Sequence, residues 1–199
     1  MIPQFNLNKE YNFLEKEIQK ELKKVFFEKK FIGGENVIQI EKNVAKYIGV
    51  NYAASCNSGT DALYLALNSI GIRKGDEVIT TPFTFISTIE AIIYLGAKPV
   101  FADIDLDTYN ISKEKILEKI SNKTKAILPV HIFGNPVDIL DIKKEVNDES
   151  IKIIEDCAQS FGAGINCQRV GSIGDIGCFS FYPTKNLGCY GDGGMITTN

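Results

Sequence analysis

The sequence is informative first in what it lacks. No stretch of its 199 residues approaches the roughly 18 consecutive apolar residues that a membrane-spanning helix requires. The N-terminal residues also show no basic start followed by an apolar run, which is the pattern of a secretory signal. We therefore expect a protein that is neither a membrane protein nor an exported one.

Cysteine and histidine are too few and too scattered for a metal site. The five cysteines include no C-x-x-C pair, and His131 is the only histidine. Structural zinc sites need clustered thiolates and imidazoles, so we expect no metal ion. An odd number of cysteines also argues against a disulfide framework, and a reducing cytoplasm is the simplest location.

A large excess of charge of one sign is lacking as well. The formal net charge is -3, with 44% apolar and 24% charged residues, which is typical of a folded globular domain and excludes a disordered chain. Without a basic excess, the sequence has no electrostatic basis for binding nucleic acid.

Short apolar runs alternate with helical patterns along most of the chain. Such alternation predicts a three-layer α/β fold, with a mainly parallel sheet and helices on both faces. We expect an N-terminal helical extension over residues 1–34 and an α/β domain over 35–199. The predicted strands are Tyr52–Cys56, Glu77–Thr81, Lys98–Ala102, Lys125–Val130, Ile151–Glu155, Ile176–Phe181 and Gly194–Thr198. The predicted helices cover 9–30, a second segment from Val37 to Ile48, then 60–70, 85–95, 112–120 and 138–146.

The last predicted strand stops without a turn or a cap. Natural domains seldom end at such a point, so we expect the chain to be part of something longer. A dinucleotide-binding module is disfavoured, because no G-x-G-x-x-G follows the first strand.

In a parallel α/β sheet, ligands bind at the carboxyl ends of the strands. The segment after the first strand contains Gly59 and Thr60 at the start of a predicted helix. Free N–H groups there, together with the Thr60 hydroxyl, would form an anion-binding cup. The alternative is ordinary helix capping by Ser58 or Thr60.

Two ionisable residues follow later strands. Asp156 comes at the end of a central strand, where a desolvated carboxylate needs a cation or a strong donor, such as a protonated pyridine nitrogen. Lys185 lies in a turn after another strand, where burial would favour a neutral, nucleophilic amine. A salt-bridged aspartate and a surface lysine are the alternatives. Ser180 would add a hydroxyl to the anion cup.

An aromatic segment, Thr81–Phe85, follows the second strand. Phe85 could stack on a flat ring, although most such residues belong to the core. A cup for an anion, a ring face, an acid and an amine then share one edge of the sheet. Pyridoxal phosphate presents the four matching groups: phosphate, ring, pyridine nitrogen and aldehyde.

The sequence resembles the DegT/DnrJ/EryC1/StrS family of sugar aminotransferases, which use pyridoxal phosphate on a type I fold. Six matching stretches run in family order from about Phe31 to Asn199: CNSGTDALYLAL, GDEVITTPFTFISTIEAI, GAKPVFADIDLDTYN, KTKAILPVHIFG, IEDCAQSFGA and GCFSFYPTKNLGCYGDGG. The resemblance implies an enzyme that moves an amino group, usually from glutamate, onto a nucleotide-linked keto-sugar.

The resemblance also implies roles for individual residues. Lys185 would form a Schiff base with the cofactor aldehyde and shuttle protons, and Asp156 would pair with the pyridine nitrogen. Gln159 would hydrogen-bond on the side of the ring hydroxyl, and Phe85 would stack on the ring. The residues implied to hold the phosphate are Gly59, Thr60 and Ser180. Some dehydratase relatives have histidine in place of the lysine, so Lys185 favours the transaminase branch.

Members of this family are about twice as long as this chain. The resemblance therefore implies that a smaller C-terminal domain, much of the sugar-nucleotide pocket and a phosphate contact from a partner subunit lie outside it. Full-length members are expected to form homodimers. The alternative function is a truncated, catalytically silent chain that folds or associates with a full-length homologue.

Overall fold

A computed structural model describes residues 5–199; the first four residues of the predicted 1–34 extension lie outside this range. The chain divides into two compact units, Met1–Ile40 and Glu41–Asn199. In the first unit, helix α1 (Asn8–Glu28) ends where Lys29 adopts a left-handed conformation, and no residue of this helix is buried. Helix α2 (Glu35–Ile48) begins in the first unit and ends in the second. Among the described residues, no helix is both long and apolar enough to cross a membrane.

The second unit is built around a seven-stranded sheet. Its strands are β1 (Tyr52–Cys56), β2 (Glu77–Thr80), β3 (Lys98–Phe101), β4 (Thr124–Leu128), β5 (Lys152–Asp156), β8 (Ile176–Ser180) and β9 (Gly194–Thr198). A short hairpin of β6 (Gly164–Ile165) and β7 (Gln168–Arg169) stands apart from it. The helices after α2 are α3 (Gly59–Ser69), α4 (Ser87–Tyr94), α5 (Lys113–Leu117) and α6 (Ile139–Val146), with a 3₁₀ turn at Ile132–Gly134.

Alternate residues of the central strands face opposite sides of the sheet, and each side is covered by helices. On one side, Val78 and Ile154 pack in a cluster with residues of α3 and α4. On the other side, Ile79 and Ile153 pack with residues of α5 and α6. This period of two is the geometry of a β-strand, and continuous apolar strands supply both cores. The predicted three-layer architecture is confirmed.

The strand order is β1-β9-β8-β5-β4-β2-β3. The pairs β2–β3, β2–β4, β4–β5 and β5–β8 are parallel, as predicted. Strand β9 is antiparallel to both of its neighbours, β1 and β8, so β1 runs in the same direction as the parallel set. The carboxyl ends of β1, β2, β4, β5 and β8 consequently meet at one edge of the sheet.

The last strand is an interior element. All five residues of β9 pair with β1 on one side and with β8 on the other. Met195 and Thr197 are fully buried. The predicted strand Gly194–Thr198 is therefore confirmed with its bounds, and it pairs with a neighbour on both sides.

Candidate functional site

A cavity of about 520 Å³ lies at the edge where the five carboxyl ends meet. The structure brings all seven of the site residues predicted from the sequence to its lining: Gly59, Thr60, Phe85, Asp156, Gln159, Ser180 and Lys185. They come from segments far apart in the chain. These segments lie at the carboxyl ends of four strands: β1, β2, β5 and β8.

The start of helix α3 forms one wall. Ser58 is the N-cap, and its hydroxyl accepts from the Asp61 N–H at 3.0 Å. A helix leaves the N–H groups of its first turn without helical acceptors, so those of Gly59 and Thr60 remain for an anion. The Thr60 hydroxyl donates to Ser87 Oγ at 2.8 Å. Ser58 is thus the cap, and Thr60 offers an anion its backbone N–H, because the proton of its hydroxyl is donated to Ser87.

Gly59 permits a close approach between α3 and the end of β8. A Cβ atom at position 59 would lie 2.6 Å from the Ser180 Cβ, a distance that real Cβ contacts do not show. The glycine therefore places the first turn of the helix beside the Ser180 hydroxyl. This contact joins the two halves of the predicted anion cup.

Asp156 lies at the floor of the cavity and is 4% exposed. Its Oδ2 accepts from the Thr88 hydroxyl at 2.8 Å, and its Oδ1 accepts from the Ala158 N–H at 3.1 Å. Burial raises the pKa of Asp156, and these two hydrogen bonds oppose that rise only in part. A positive charge in the cavity would stabilise the ionised form.

Lys185 is carried by a turn that follows β8. Its N–H donates to the carbonyl of Tyr182 at 2.8 Å, which closes the turn. The Tyr182 N–H in turn donates to Ser180 Oγ at 3.4 Å, so one segment supplies both a hydroxyl and an amine. Lys185 is partly buried, so it is less enclosed than the sequence predicts. Its side chain lines the cavity.

Phe85 and Gln159 complete the predicted set. Phe85 precedes α4, lines the cavity and is 67% exposed, so it is not a core residue and has a free ring face. Gln159 follows the strand end at Asp156 and is partly buried. Their positions are compatible with the stacking and hydrogen-bonding roles that the resemblance implies.

Several lining residues were missed in the sequence: Thr84, Ser87, Thr88, Tyr182, Thr184 and Asp192. Thr84 and Thr88 are four residues apart and follow β2, so their hydroxyls share one face of the chain at the start of α4. That spacing, directly after a strand end, is the signal that could have identified them.

His131, the only histidine of the sequence, is a structural residue. It is fully buried, and its Nδ1 accepts from the Val137 N–H at 2.9 Å. The ring proton is therefore on Nε2, which donates to Glu155 Oε2 at 2.9 Å. Glu155 also accepts from the N–H groups of Gly171, Ile173 and Gly174.

His131, Glu155 and Cys157 form a buried group whose potential ligand atoms lie within 4.8 Å of one another. Both histidine nitrogens and both glutamate oxygens already have hydrogen-bond partners, so this group needs no metal ion to satisfy it.

All five cysteines are free, and burial raises the pKa of the Cys157 and Cys178 thiols well above the ordinary value. A cytoplasmic location stays a prediction.

The fold and the cavity define an α/β domain that can hold an anionic ligand between a helix N-terminus, a lysine and a buried carboxylate. Comparison with known proteins identifies the family to which this domain belongs. The chain belongs to the DegT/DnrJ/EryC1/StrS aminotransferase family, whose pattern it matches over residues 12–199. The resemblance found in the sequence is thus confirmed.

One relative is the UDP-N-acetyl-3-dehydro-alpha-D-glucosamine 3-aminotransferase of Acidithiobacillus ferrooxidans, 47% identical over 197 residues, which cover 99% of this chain and 53% of the relative. The crystal structure of a DegT/DnrJ/EryC1/StrS aminotransferase from Brucella abortus superposes with a TM-score of 0.95 at 36% identity, over all of this chain and 55% of that one. NtdA from Bacillus subtilis, solved with bound cofactor PMP, superposes with a TM-score of 0.93 at 34% identity, over 99% of this chain and 45% of that one. The chain spans about half the length of the relatives that it matches.

Proposed function

We propose that this chain is the cofactor-binding part of an aminotransferase that uses pyridoxal phosphate to move an amino group from an amino acid to a nucleotide-linked keto-sugar. One observation carries the proposal: an amine, a buried carboxylate and a helix N-terminus line the same cavity. The Acidithiobacillus ferrooxidans aminotransferase supports the reaction class, and the Bacillus subtilis structure solved with PMP supports the cofactor. Glutamate is the proposed donor.

The chemistry of the lining fits pyridoxal phosphate. Burial raises the pKa of Asp156, and the charge of Lys185 offsets only part of that rise, so a protonated ring nitrogen complements the carboxylate. The first turn of α3 offers N–H groups to a phosphate next to the Ser180 hydroxyl. The cofactor, when bound, supplies an aldehyde and a ring that accepts electrons.

Each proposed role belongs to a residue of this chain. The Lys185 amine would hold the cofactor at its aldehyde and would accept or donate the proton at the reacting carbon. Asp156 keeps the ring nitrogen protonated, which makes the ring a stronger electron acceptor. Phe85 covers a ring face. Gln159 hydrogen-bonds the ring hydroxyl, as the resemblance implies.

The proposal is tested by adding pyridoxal phosphate to the purified chain. We expect a visible absorbance band that survives dialysis, and borohydride reduction followed by peptide mapping should find the cofactor on Lys185. The Lys185→Ala variant should lose the band. Lys125→Ala, a change at an exposed lysine of β4, is the matched control and should keep it. Attachment at another lysine, or none, would overturn the proposal.

The alternative is a silent chain that folds but does not turn over substrate. Because the chain covers about half of its relatives, cofactor binding and amino transfer need separate assays. Transfer from glutamate to a keto-sugar nucleotide by the purified chain would exclude a silent role. Binding of the cofactor without transfer would support it.

We also propose that the full-length protein forms a homodimer. Large apolar side chains near the carboxyl edge support this: the Phe83 ring contacts those of Tyr109 and Phe133, yet each of the three residues is at least 40% exposed. Sedimentation velocity should report a dimer for the full-length protein. A monomer at all concentrations would exclude it.

A further inference from the structure

A chain of two hydroxyl groups ends on the buried Asp156 carboxylate. Thr88 Oγ1 donates to Asp156 Oδ2 at 2.8 Å, and Thr84 Oγ1 lies 2.8 Å from Thr88 Oγ1. A threonine hydroxyl has one proton, and that of Thr88 is committed to the carboxylate. Thr84 is therefore the donor to Thr88, and the hydrogen bonds run from Thr84 through Thr88 to Asp156.

The two oxygens of Asp156 are held separately. Thr88 holds Oδ2 from the first turn of α4, and the Ala158 N–H holds Oδ1 from the loop after β5. Thr88 is 1% exposed, so water does not replace its hydroxyl easily. With both oxygens held from different elements, the carboxylate has a single orientation at the floor of the cavity.

We propose that Thr88 is a positioning residue for the aminotransferase reaction: its hydroxyl, itself oriented by Thr84, keeps Asp156 ionised and in one orientation as the partner of the cofactor's ring nitrogen. This inference rests on the proposed function. A donor to the carboxylate stabilises its charged form, which burial disfavours. Without that donor, Asp156 would take a proton more readily, and the ring nitrogen would face a neutral acid.

Other groups also act on the charge of Asp156, and the test must leave them unchanged. The titratable groups near it are His131, Lys185, Glu155 and the thiols of Cys157 and Cys178. A Thr88→Val change keeps the shape of the side chain and alters none of these groups. The difference between the variant and the parent chain then reports the hydroxyl alone.

The first test uses the cofactor-free chain, so it does not depend on pyridoxal phosphate. The chain is labelled with ¹³C at aspartate carboxyl carbons, the Asp156 signal is assigned with Asp156→Asn, and its titration is followed by NMR. We expect Thr88→Val to raise the proton affinity of Asp156 about tenfold, the effect of one hydrogen bond to a charged group. Thr88→Ser, which restores a hydroxyl, should return it to the parent value.

Thr80→Val is the matched control. Thr80 is also fully buried, and its hydroxyl donates to the Leu128 carbonyl at 2.7 Å instead of to Asp156. This variant loses a buried hydrogen bond of similar kind and should leave the Asp156 titration unchanged. Equal titrations in the parent chain and in Thr88→Val, or an equal change in Thr80→Val, would overturn the inference.

The second test adds pyridoxal phosphate labelled with ¹⁵N at the ring nitrogen. In the parent chain and in Thr88→Ser, the signal should be that of a protonated nitrogen; in Thr88→Val it should move towards that of neutral pyridine. If the parent chain binds no cofactor, the proposed function fails. The titration of Asp156 in the cofactor-free chain still tests whether the Thr88 hydroxyl acts on that carboxylate. If all three bind with the same nitrogen signal, the positioning role is overturned and the proposed function stands.

Discussion

Glu155 and Asp156 are neighbours at the end of β5, and the pKa values of their carboxyl groups are shifted in opposite directions. Burial raises the pKa of Glu155, but hydrogen bonds from His131 and from the N–H groups of Gly171 and Gly174 outweigh it, and the pKa lies below its ordinary value. For Asp156 burial prevails, and the pKa is raised. Ionised Glu155 therefore stabilises the fold, whereas ionised Asp156 lowers the free energy of unfolding.

The two residues should therefore respond to amide substitution with opposite signs at neutral pH. Asp156→Asn removes a costly buried charge, so the cofactor-free chain should gain about 1 kcal/mol in the free energy of unfolding. Glu155→Gln leaves buried N–H donors without acceptors and should lose about 3 kcal/mol. Urea unfolding of both variants measures the difference.

The pH dependence of the two effects follows from the directions of the pKa values. The cost of ionised Asp156 appears as pH rises above 3.8 through its raised pKa, so the gain in Asp156→Asn should vanish below pH 3.8. The stabilisation by Glu155 is present above pH 4.5 and is lost as pH falls below it. Similar losses in both variants at neutral pH would contradict this assignment.

Six of the seven site residues were accessible from the sequence because each ends or follows a strand, and strand ends of a parallel sheet converge. The role of the seventh, Gln159, was implied by the family resemblance. Thr88 was missed, although it touches Asp156, because the two residues are 68 positions apart and their contact depends on tertiary packing. The sequence alone assigned no role to His131 beyond arguing against a metal site. Its hydrogen bonds to Glu155 and Val137, which come from the fold, show that it is structural.

Among the elements, the contact between α3 and β8 controls the anion cup. In Gly59→Ala, the new Cβ would collide with Ser180. Alanine favours a helix over glycine by about 1 kcal/mol, but a fixed collision in a packed site costs about 1–3 kcal/mol. We expect a net loss of stability, read as a lower thermal midpoint, together with weaker cofactor binding.

A double variant separates the collision from other effects. Replacing Ser180 by glycine in the Gly59→Ala chain removes the Cβ with which the new methyl group collides. The thermal midpoint should recover in part, whereas cofactor binding should stay weak because the Ser180 hydroxyl is gone. No recovery in the double variant would show that the collision is not the cause.

The bounds of the elements were largely predictable, and the direction of one strand was not. β1 and β9 have the predicted bounds, and the other predicted strands differ by one or two residues at their ends. Helix α4 begins at Ser87, two residues after the predicted start, because Phe85 belongs to the loop. The antiparallel direction of β9 depends on where β1 and β8 lie, which five residues of sequence do not encode.

For the molecule as a whole, cofactor binding and folding are linked. A ligand that binds only the folded chain raises the free energy of unfolding by about 2.7 kcal/mol when its concentration is 100 times the dissociation constant. Pyridoxal phosphate should therefore raise the thermal midpoint measured by circular dichroism. Pyridoxal without the phosphate cannot use the first turn of α3 and should give a smaller rise; equal rises would contradict the anion cup.

Strand β9 also has a consequence for the order in which the sheet is made. In the described chain, β1 has β9 as its sheet partner, and Tyr52 pairs with Thr198. During synthesis on the ribosome, β1 must therefore wait without a strand partner until residues 194–198 have emerged, and such distant pairing is slow. A nascent chain arrested before Gly194 should expose β1 to protease, whereas one arrested well beyond Asn199 should protect it.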